Sequence, residues 1–247
     1  MENKAYSKII GSANAPYLNR LARACGSATK FSNEFHPSLP NYIAMTSGST
    51  QGISDDDDPS AHRLRVASIF SQLGKHWRAL AESMPSSCDH SDAGLYAVRH
   101  NPAVYFTNVA KQCRRQDVRL TPQPDLSARF TFITPNRCHD MHSCPSTGDD
   151  EGAQTRAGDA WLSKFMPKIL GSREYKAGST AIFVTWDEDD NRHIPTIVLS
   201  PYTHPGTRSA SKFNHYSLLR TTEELLGIQR HIGNAVSAAS MRRAFHL

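Results

Sequence analysis

The run Thr180-Ala-Ile-Phe-Val-Thr-Trp186, followed at once by Asp187-Glu188-Asp189-Asp190, constrains this chain more than any other segment. Seven apolar, aromatic and β-branched residues read as a central strand. That strand ends abruptly in adjacent carboxylates, which delivers hard oxygen donors to one end of a sheet. Thr196 to Ser200 reads as a second strand, and Arg129 to Pro135 as a buried third that leads to Asn136 and then Asp140. Strand-like and helix-like segments alternate along the chain, so the predicted class is an α/β sandwich.

Ala15-Pro16 precedes Tyr17, Leu18, Leu21 and Ala22, which predicts a short amphipathic helix with proline near its start. Phe31 to Phe35 alternates like a strand. Ser38 to Ser47 then predicts a helix with Pro40 in its first turn and a stop at Gly48. Ser38 falls at that helix's N-terminus, where free N–H groups and the dipole favour an anion. Asp55 to Asp58 lies in a polar stretch without the ligand spacing of a calcium loop and reads as a solvated loop. Val66 to Trp77 is predicted helical, with Ile69, Phe70, Leu73 and Trp77 on one side. Trp161, Leu162, Phe165, Met166, Ile169 and Leu170 follow helical periodicity, with Pro167 expected to kink or divide the helix. His215 to Gly227 is a further helix whose Tyr216, Leu218, Leu219, Leu225 and Leu226 are expected to cover the sheet.

With 247 residues the chain can bury one substantial core, and a single domain over 1–247 is predicted. Its 28 Lys and Arg against 23 Asp and Glu give a net charge of +5. That favours anionic ligands, but no basic stretch interleaved with aromatics is present, so nucleic acid is not an expected partner. No apolar run reaches the roughly 18 residues that span a bilayer, and the N-terminus lacks a charged-then-apolar export pattern. The five cysteines, Cys25, Cys88, Cys113, Cys138 and Cys144, match no zinc ribbon or Cys-x-x-Cys motif. Bridges Cys138–Cys144 and Cys88–Cys113 would imply an oxidising compartment; five reduced thiols are the alternative.

Ser38, Asn136, Asp140 and the pair Asp187-Glu188 each follow a predicted strand, and reactive groups in open α/β sheets gather beyond strand C-termini. With Glu2-Asn3 at the chain start, they predict oxygen ligands for a divalent ion around a serine nucleophile, the pattern of metal-assisted phosphoester hydrolysis. Oxygen-rich ligands select magnesium, calcium or manganese over zinc. His36, His139, His142 and His215 add groups able to bind phosphate or metal, or to protonate a leaving group.

The blocks ENKAYSKIIG, HPSLPNYIAMTSG, FITPNRCHDMH, FVTWDEDD, IPTIVLSPYTHPGT and HYSLLRTTEELLG resemble successive segments of the bacterial phosphoesterase family. That family joins secreted acid phosphatases, the phosphatidylinositol 3-phosphatase type among them, to relatives of non-specific phospholipase C within the alkaline phosphatase superfamily. The resemblance implies a three-layer sandwich with a mostly parallel central sheet. It implies Glu2, Asn3, Asp187 and Glu188 as metal ligands, and Ser38 as the residue that forms a covalent phospho-intermediate. His142 and His215 match catalytic positions, and His36, Asn41, Asn136 and Asp140 match groups around the phosphate. The implied substrate is a small phosphorylated molecule or a phospholipid head group, handled by a monomer. The alternatives are a phospholipase C-type phosphodiesterase and a catalytically impaired form that binds metal or anions. The family carries a valine-rich strand and a secretory signal before its Glu-Asn pair. The natural protein is therefore expected to continue upstream of Met1, with that first strand and an export signal, and to be secreted.

Overall fold

The computed structural model describes residues 1–247. The chain begins with α1 (Tyr6–Ile9), α2 (Pro16–Ala24), β1 (Gly26–Ser32), α3 (Ser38–Ser47) and α4 (Ile69–Leu73). There follow β2 (Trp77–Ala81), α5 (Ala110–Gln116), β3 (Asp117–Arg119), β4 (Phe130–Thr134), α6 (Glu151–Leu170) and α7 (Arg173–Lys176). The last elements are β5 (Ile182–Thr185), β6 (Ile194–Leu199), β7 (Thr207–Ser209), β8 (Phe213–Asn214), α8 (His215–Leu225) and α9 (Arg242–Phe245). Helices and strands alternate, and the class is α/β. The chain forms two compact units. One comprises Met1–Asn33, Arg137–Asn214 and Ser240–Leu247, and the other Glu34–Asn136 and His215–Ala239.

The first unit holds a five-stranded mixed sheet in the order β5-β6-β1-β7, with β8 also paired to β1. β6 (IPTIVL) is buried at every residue, as an apolar strand between two neighbours should be. It runs antiparallel to β5 and to β1, whereas β1 is parallel to β7 and β8. The parallel arrangement therefore holds only in part here. The segment between β5 and β6 is far shorter than the dozen or so residues a parallel crossover needs, so that pair closes as a hairpin.

β5, expected at the centre, lies at the end of this strand order and is mostly half-buried. Met1 flanks it: the terminal ammonium donates to the Thr185 carbonyl at 3.2 Å, and the Asp187 N–H donates to the Met1 carbonyl at 3.0 Å. β1 begins at Gly26 and ends at Ser32, earlier than the alternation of Phe31 to Phe35 indicates. Pairing on both sides recruits Gly26, Ser27 and Ala28, residues of low strand propensity.

α2 starts on Pro16 and buries Leu18, Leu21 and Ala22. Its Tyr17 and Leu18 N–H groups donate to the Asp159 carboxylate at 3.0 and 2.8 Å, so α6 supplies the anion that a helix N-terminus favours. α6 stays continuous through Pro167, contrary to the expected break. The proline sits in the last turn, so only three helical residues follow the one intrahelical bond that its missing N–H gives up. A Cβ at Gly158 would lie 2.4 Å from the Met141 side chain, so glycine lets α6 approach the segment that carries Asp140. A Cys138–Cys144 disulfide closes that same segment.

The second unit holds a three-stranded, fully parallel sheet in the order β3-β2-β4. The predicted helix Val66 to Trp77 shrinks to α4, capped by Ser68 and ended by Gly74 at φ +60°. Trp77 instead opens β2. Trp77, Phe70 and Phe106 cluster with ring centroids 4.8 and 6.0 Å from Phe70, and all three are buried. Each contributes roughly 2–3 kcal/mol of burial. β4, expected to be buried, is half-buried along most of its length because it is an edge strand. α3 is buried at all ten residues and ends on Gly48 in the left-handed region. α8 buries Leu219 but leaves Leu225 38% exposed, so only part of its expected apolar face reaches the core. The Cys88–Cys113 disulfide joins the segment after β2 to α5, and Cys25 is free.

Candidate active site

In the first unit three chain segments bring acidic groups together. β5 stops at Thr185, and Asp187 and Glu188 beyond it are each 1% exposed. Glu2 is fully buried, and its N–H donates to the Asp140 carbonyl at 2.8 Å. Asn3, at φ +44°, donates its backbone N–H to Asp187 Oδ1 at 3.1 Å and its side-chain amide to Glu188 Oε1 at 3.3 Å. Asparagine tolerates that left-handed backbone better than most residues, and its short amide reaches both neighbours. The Asp140 carboxylate accepts the His142 N–H at 2.9 Å, which fixes the turn between them.

Four carboxyl side chains of this unit, on Glu2, Asp140, Asp187 and Glu188, are thus almost wholly withdrawn from water. Lys4, only 3% exposed, feels the charge of Asp140 and donates to Gln154 at 3.0 Å. Burial lowers its pKa, against the opposing pull of Glu151 and Asp140. Buried carboxylates persist only when paired, hydrogen-bonded or bound to a cation. The donors on Glu2, Asn3, Asp187 and Glu188 are all oxygens, which fits a hard divalent ion and not a thiolate-bound one.

The second unit holds the serine. Ser38 is the first residue of α3 and 4% exposed. Its approach segment is held by Asn41, which is fully buried. The Asn41 carboxamide oxygen accepts the Glu34 and Phe35 N–H groups at 3.1 and 3.0 Å. Its amide donates to the Phe35 and Pro37 carbonyls at 2.9 and 3.1 Å. All four hydrogen-bonding positions of a primary amide are then occupied by backbone. These bonds fasten the loop that leads into Ser38.

The N–H that follows the serine is also committed, since Leu39 donates to Asp56 Oδ1 at 2.9 Å. The Asp56 carboxylate in turn faces Arg99 at 3.5 Å. The acidic run read as a solvated loop therefore caps the serine helix, and the Leu39 N–H is not free to receive an anion.

His215 opens α8, is fully buried, and has Nε2 3.9 Å from Glu34 Oε2, whose side chain is 7% exposed. That is ion-pair range and beyond a hydrogen bond. His36 is exposed. Asn136, just past β4, takes Glu82 Oε2 on its N–H and Ser83 Oγ on its amide, both at 3.0 Å. Glu82 and Ser83 follow β2, so two adjacent parallel strands deliver polar groups at their C-terminal ends.

The sequence did not single out Glu34, Asp56, Glu82 or His100. His100 is 2% exposed and stacks on Tyr42 of α3 at 5.3 Å between ring centroids. Glu34 lay within an alternating segment that resembles a solvent-facing strand edge. Nothing local marks Glu82, because its partner is 54 residues away.

Residues 11–229 match the model of the Phosphoesterase family. The chain is 31% identical over 238 residues to a phosphatidylinositol-3-phosphatase of Mycobacterium tuberculosis, covering 93% of this chain and 75% of that protein. It is 25% identical over 262 residues to a probable acid phosphatase of Kluyveromyces lactis, covering 95% of this chain but only 59% of the yeast protein. The fold is similar to that of a Vibrio parahaemolyticus protein in the alkaline phosphatase superfamily. The TM-score is 0.62 at 12% identity, over 98% of this chain and 69% of that one. On the extent of the family match and the identity to the mycobacterial phosphatase, the chain belongs to the Phosphoesterase family.

Proposed function

We propose that this protein hydrolyses phosphate monoesters in two steps, with Ser38 as the nucleophile and a divalent metal ion held by Glu2, Asn3, Asp187 and Glu188. The observation that carries the reading is the buried oxygen-donor set that Asn3 ties together through Asp187 and Glu188. A bound magnesium, calcium or manganese ion would neutralise phosphoryl oxygens and lower the effective pKa of a nearby hydroxyl.

The residues do the rest. Ser38 Oγ attacks phosphorus in line, its proton passes to solvent, and the bond from phosphorus to the leaving alcohol breaks. His215 or His142 gives that alcohol a proton. Water then attacks the phosphoserine, releasing phosphate and restoring the hydroxyl. His36 and Asn136 hold the phosphoryl group, Asp140 stands beside it and fixes the turn that carries His142, and Asn41 holds the loop from which Ser38 projects. The dipole of α3 favours the negative charge gathered at its first residue.

Phosphoric ester hydrolysis is the chemistry of the family. Monoesters are the favoured class because the relatives are named as acid phosphatases and as a phosphatidylinositol-3-phosphatase. A phosphoinositide head group is therefore a candidate substrate for this chain. Both units belong on this reading to one catalytic domain over 1–247, since neither is a continuous stretch of chain. Two disulfides accord with a secreted protein, and no helix is long and apolar enough to cross a membrane.

The test is turnover of p-nitrophenyl phosphate and of phosphatidylinositol 3-phosphate beside phosphatidylcholine. Both monoesters should be hydrolysed and the diester spared. Ser38→Ala should lower turnover at least about a thousandfold without unfolding the chain. A chelator should abolish it, with recovery on adding magnesium, calcium or manganese. Full activity in Ser38→Ala would remove the nucleophile, and full activity in chelator would remove the metal.

A further inference from the structure

The Cys88–Cys113 disulfide takes no part in this chemistry, yet its surroundings are unusual for a structural staple. Asp117, the first residue of β3, is fully buried, and Cys113 is 1% exposed. Cys113 Sγ lies 3.6 Å from Asp117 Oδ2, which also accepts the Asn101 amide at 2.8 Å. Asp117 Oδ1 is buried and has no hydrogen-bond partner. An orphaned carboxylate oxygen in a protein interior is costly and rare. On the outer side, Cys88 is half-buried and His90 is exposed, with Nε2 3.6 Å from Cys88 Sγ. One ligand atom from each of Cys88, Cys113 and Asp117 lies within 4.8 Å of the others.

We propose that reduction of Cys88–Cys113 turns this cluster into a binding site for a thiophilic divalent ion of the zinc type. Its ligands are Cys88 Sγ, Cys113 Sγ, a carboxylate oxygen of Asp117, of which Oδ2 already lies 3.6 Å from Cys113 Sγ, and His90 Nε2. Two sulfurs, one nitrogen and one carboxylate oxygen make a closed tetrahedral set. A dithiol reductant supplies two electrons and two protons: the S–S bond breaks, two thiols form, and the reductant leaves as its own disulfide. Binding of the ion then releases both thiol protons to solvent.

The geometry needs little movement. Zinc–sulfur bonds of about 2.3 Å place two thiolates about 3.8 Å apart in a tetrahedron, and the two Cα atoms are already 5.4 Å apart. Cys113 and Asp117 are four residues apart where α5 passes into β3, and Cys88 and His90 bracket one residue of the facing loop. Asn101 keeps its bond to Asp117 Oδ2 and so holds the carboxylate beside the sulfurs. Tyr96 accepts from the same amide at 3.1 Å and steadies it. The two states suit two environments, a covalent staple under oxidising conditions and a metal clip under reducing ones.

The experiment uses the full chain and a readout other than catalysis. The protein is reduced with a phosphine, desalted without oxygen, and alkylated with and without Zn²⁺ while mass spectrometry follows each cysteine. Zn²⁺ should slow alkylation of Cys88 at least tenfold, a chelator should reverse this, and Cys25 should react at an unchanged rate. Co²⁺ should give a thiolate-to-metal charge-transfer band. The band should persist in Cys138→Ser/Cys144→Ser and weaken at least tenfold in apparent affinity in His90→Ala, a change at an exposed residue. Equal alkylation of Cys88 with and without Zn²⁺ would overturn the site. So would a charge-transfer band that requires Cys138 and Cys144, or one indifferent to His90.

Discussion

Asn41 shows how much of the candidate site rests on one buried side chain bonded wholly to backbone. Its amide ties the backbone of residues 34, 35 and 37 to α3 and so sets where Ser38 stands. Asn41→Ala leaves two N–H groups and two carbonyls without those partners. Burying such groups unpaired costs about 1–3 kcal/mol apiece when water cannot reach them. The variant should lose about 2–4 kcal/mol in urea denaturation and should fall in kcat more than in KM; unchanged stability would contradict the role. Asp117 gives a pH-dependent prediction for the disulfide-bonded protein. Burial pushes its pKa up to about 7, with Asn101 opposing. The folded chain therefore keeps this proton above about pH 4, where the unfolded chain has lost it. Stability then falls as pH rises from about 4 to about 7 and levels off beyond. Asp117→Asn should remove that slope in thermal melts across this range, and an undiminished slope would assign it to other groups. Ser38 and Asp187-Glu188 were legible as candidates because each stands where a strand or helix begins or ends. The sequence did not disclose the backbone bonds of Asn41, because nothing local states which groups an amide will find.

The helix that carries Ser38 was legible at both ends, through Pro40 in its first turn and Gly48 at its stop. Gly48 lies at φ +76°, and a Cβ there would fall 2.4 Å from the Ile232 carbonyl oxygen. Its own carbonyl accepts the Asn234 N–H at 2.8 Å, which ties the end of α3 to the segment after α8. Gly48→Ala should cost about 2–4 kcal/mol, because backbone must move and the left-handed conformation is strained. Denaturant midpoints check this, and a loss below about 1 kcal/mol would contradict the close approach. β2 escaped detection for a physical reason. Trp-Arg-Ala-Leu-Ala has helix formers and no β-branched residue, and parallel pairing with β3 and β4 overrides that local preference. Gly74, in plain view within the supposed helix, was the available signal for its end. β5 misled in the other direction, since an apolar run was read as central when it lies at the end of its sheet order.

Across the whole molecule the α/β class was readable from alternation, and the family from short blocks spread along the chain. The division of strands between a mixed and a parallel sheet was not, because pairing partners lie up to about 180 residues apart in sequence, as for Phe31 and Phe213. The two disulfides join the cysteine pairs raised as candidates, although spacing fixed neither the pairing nor the redox state. The central claim is chemical: Ser38 carries the phosphoryl group between the two steps. Its most direct test is acid quenching of the full-length enzyme during turnover of an aryl phosphate, followed by peptide mass spectrometry. A phosphate on the peptide at Ser38, absent after quenching in chelator and absent from Ser38→Ala, is the predicted result. Rapid turnover with Ser38 unmodified at every quench time, and undiminished in Ser38→Ala, would contradict it.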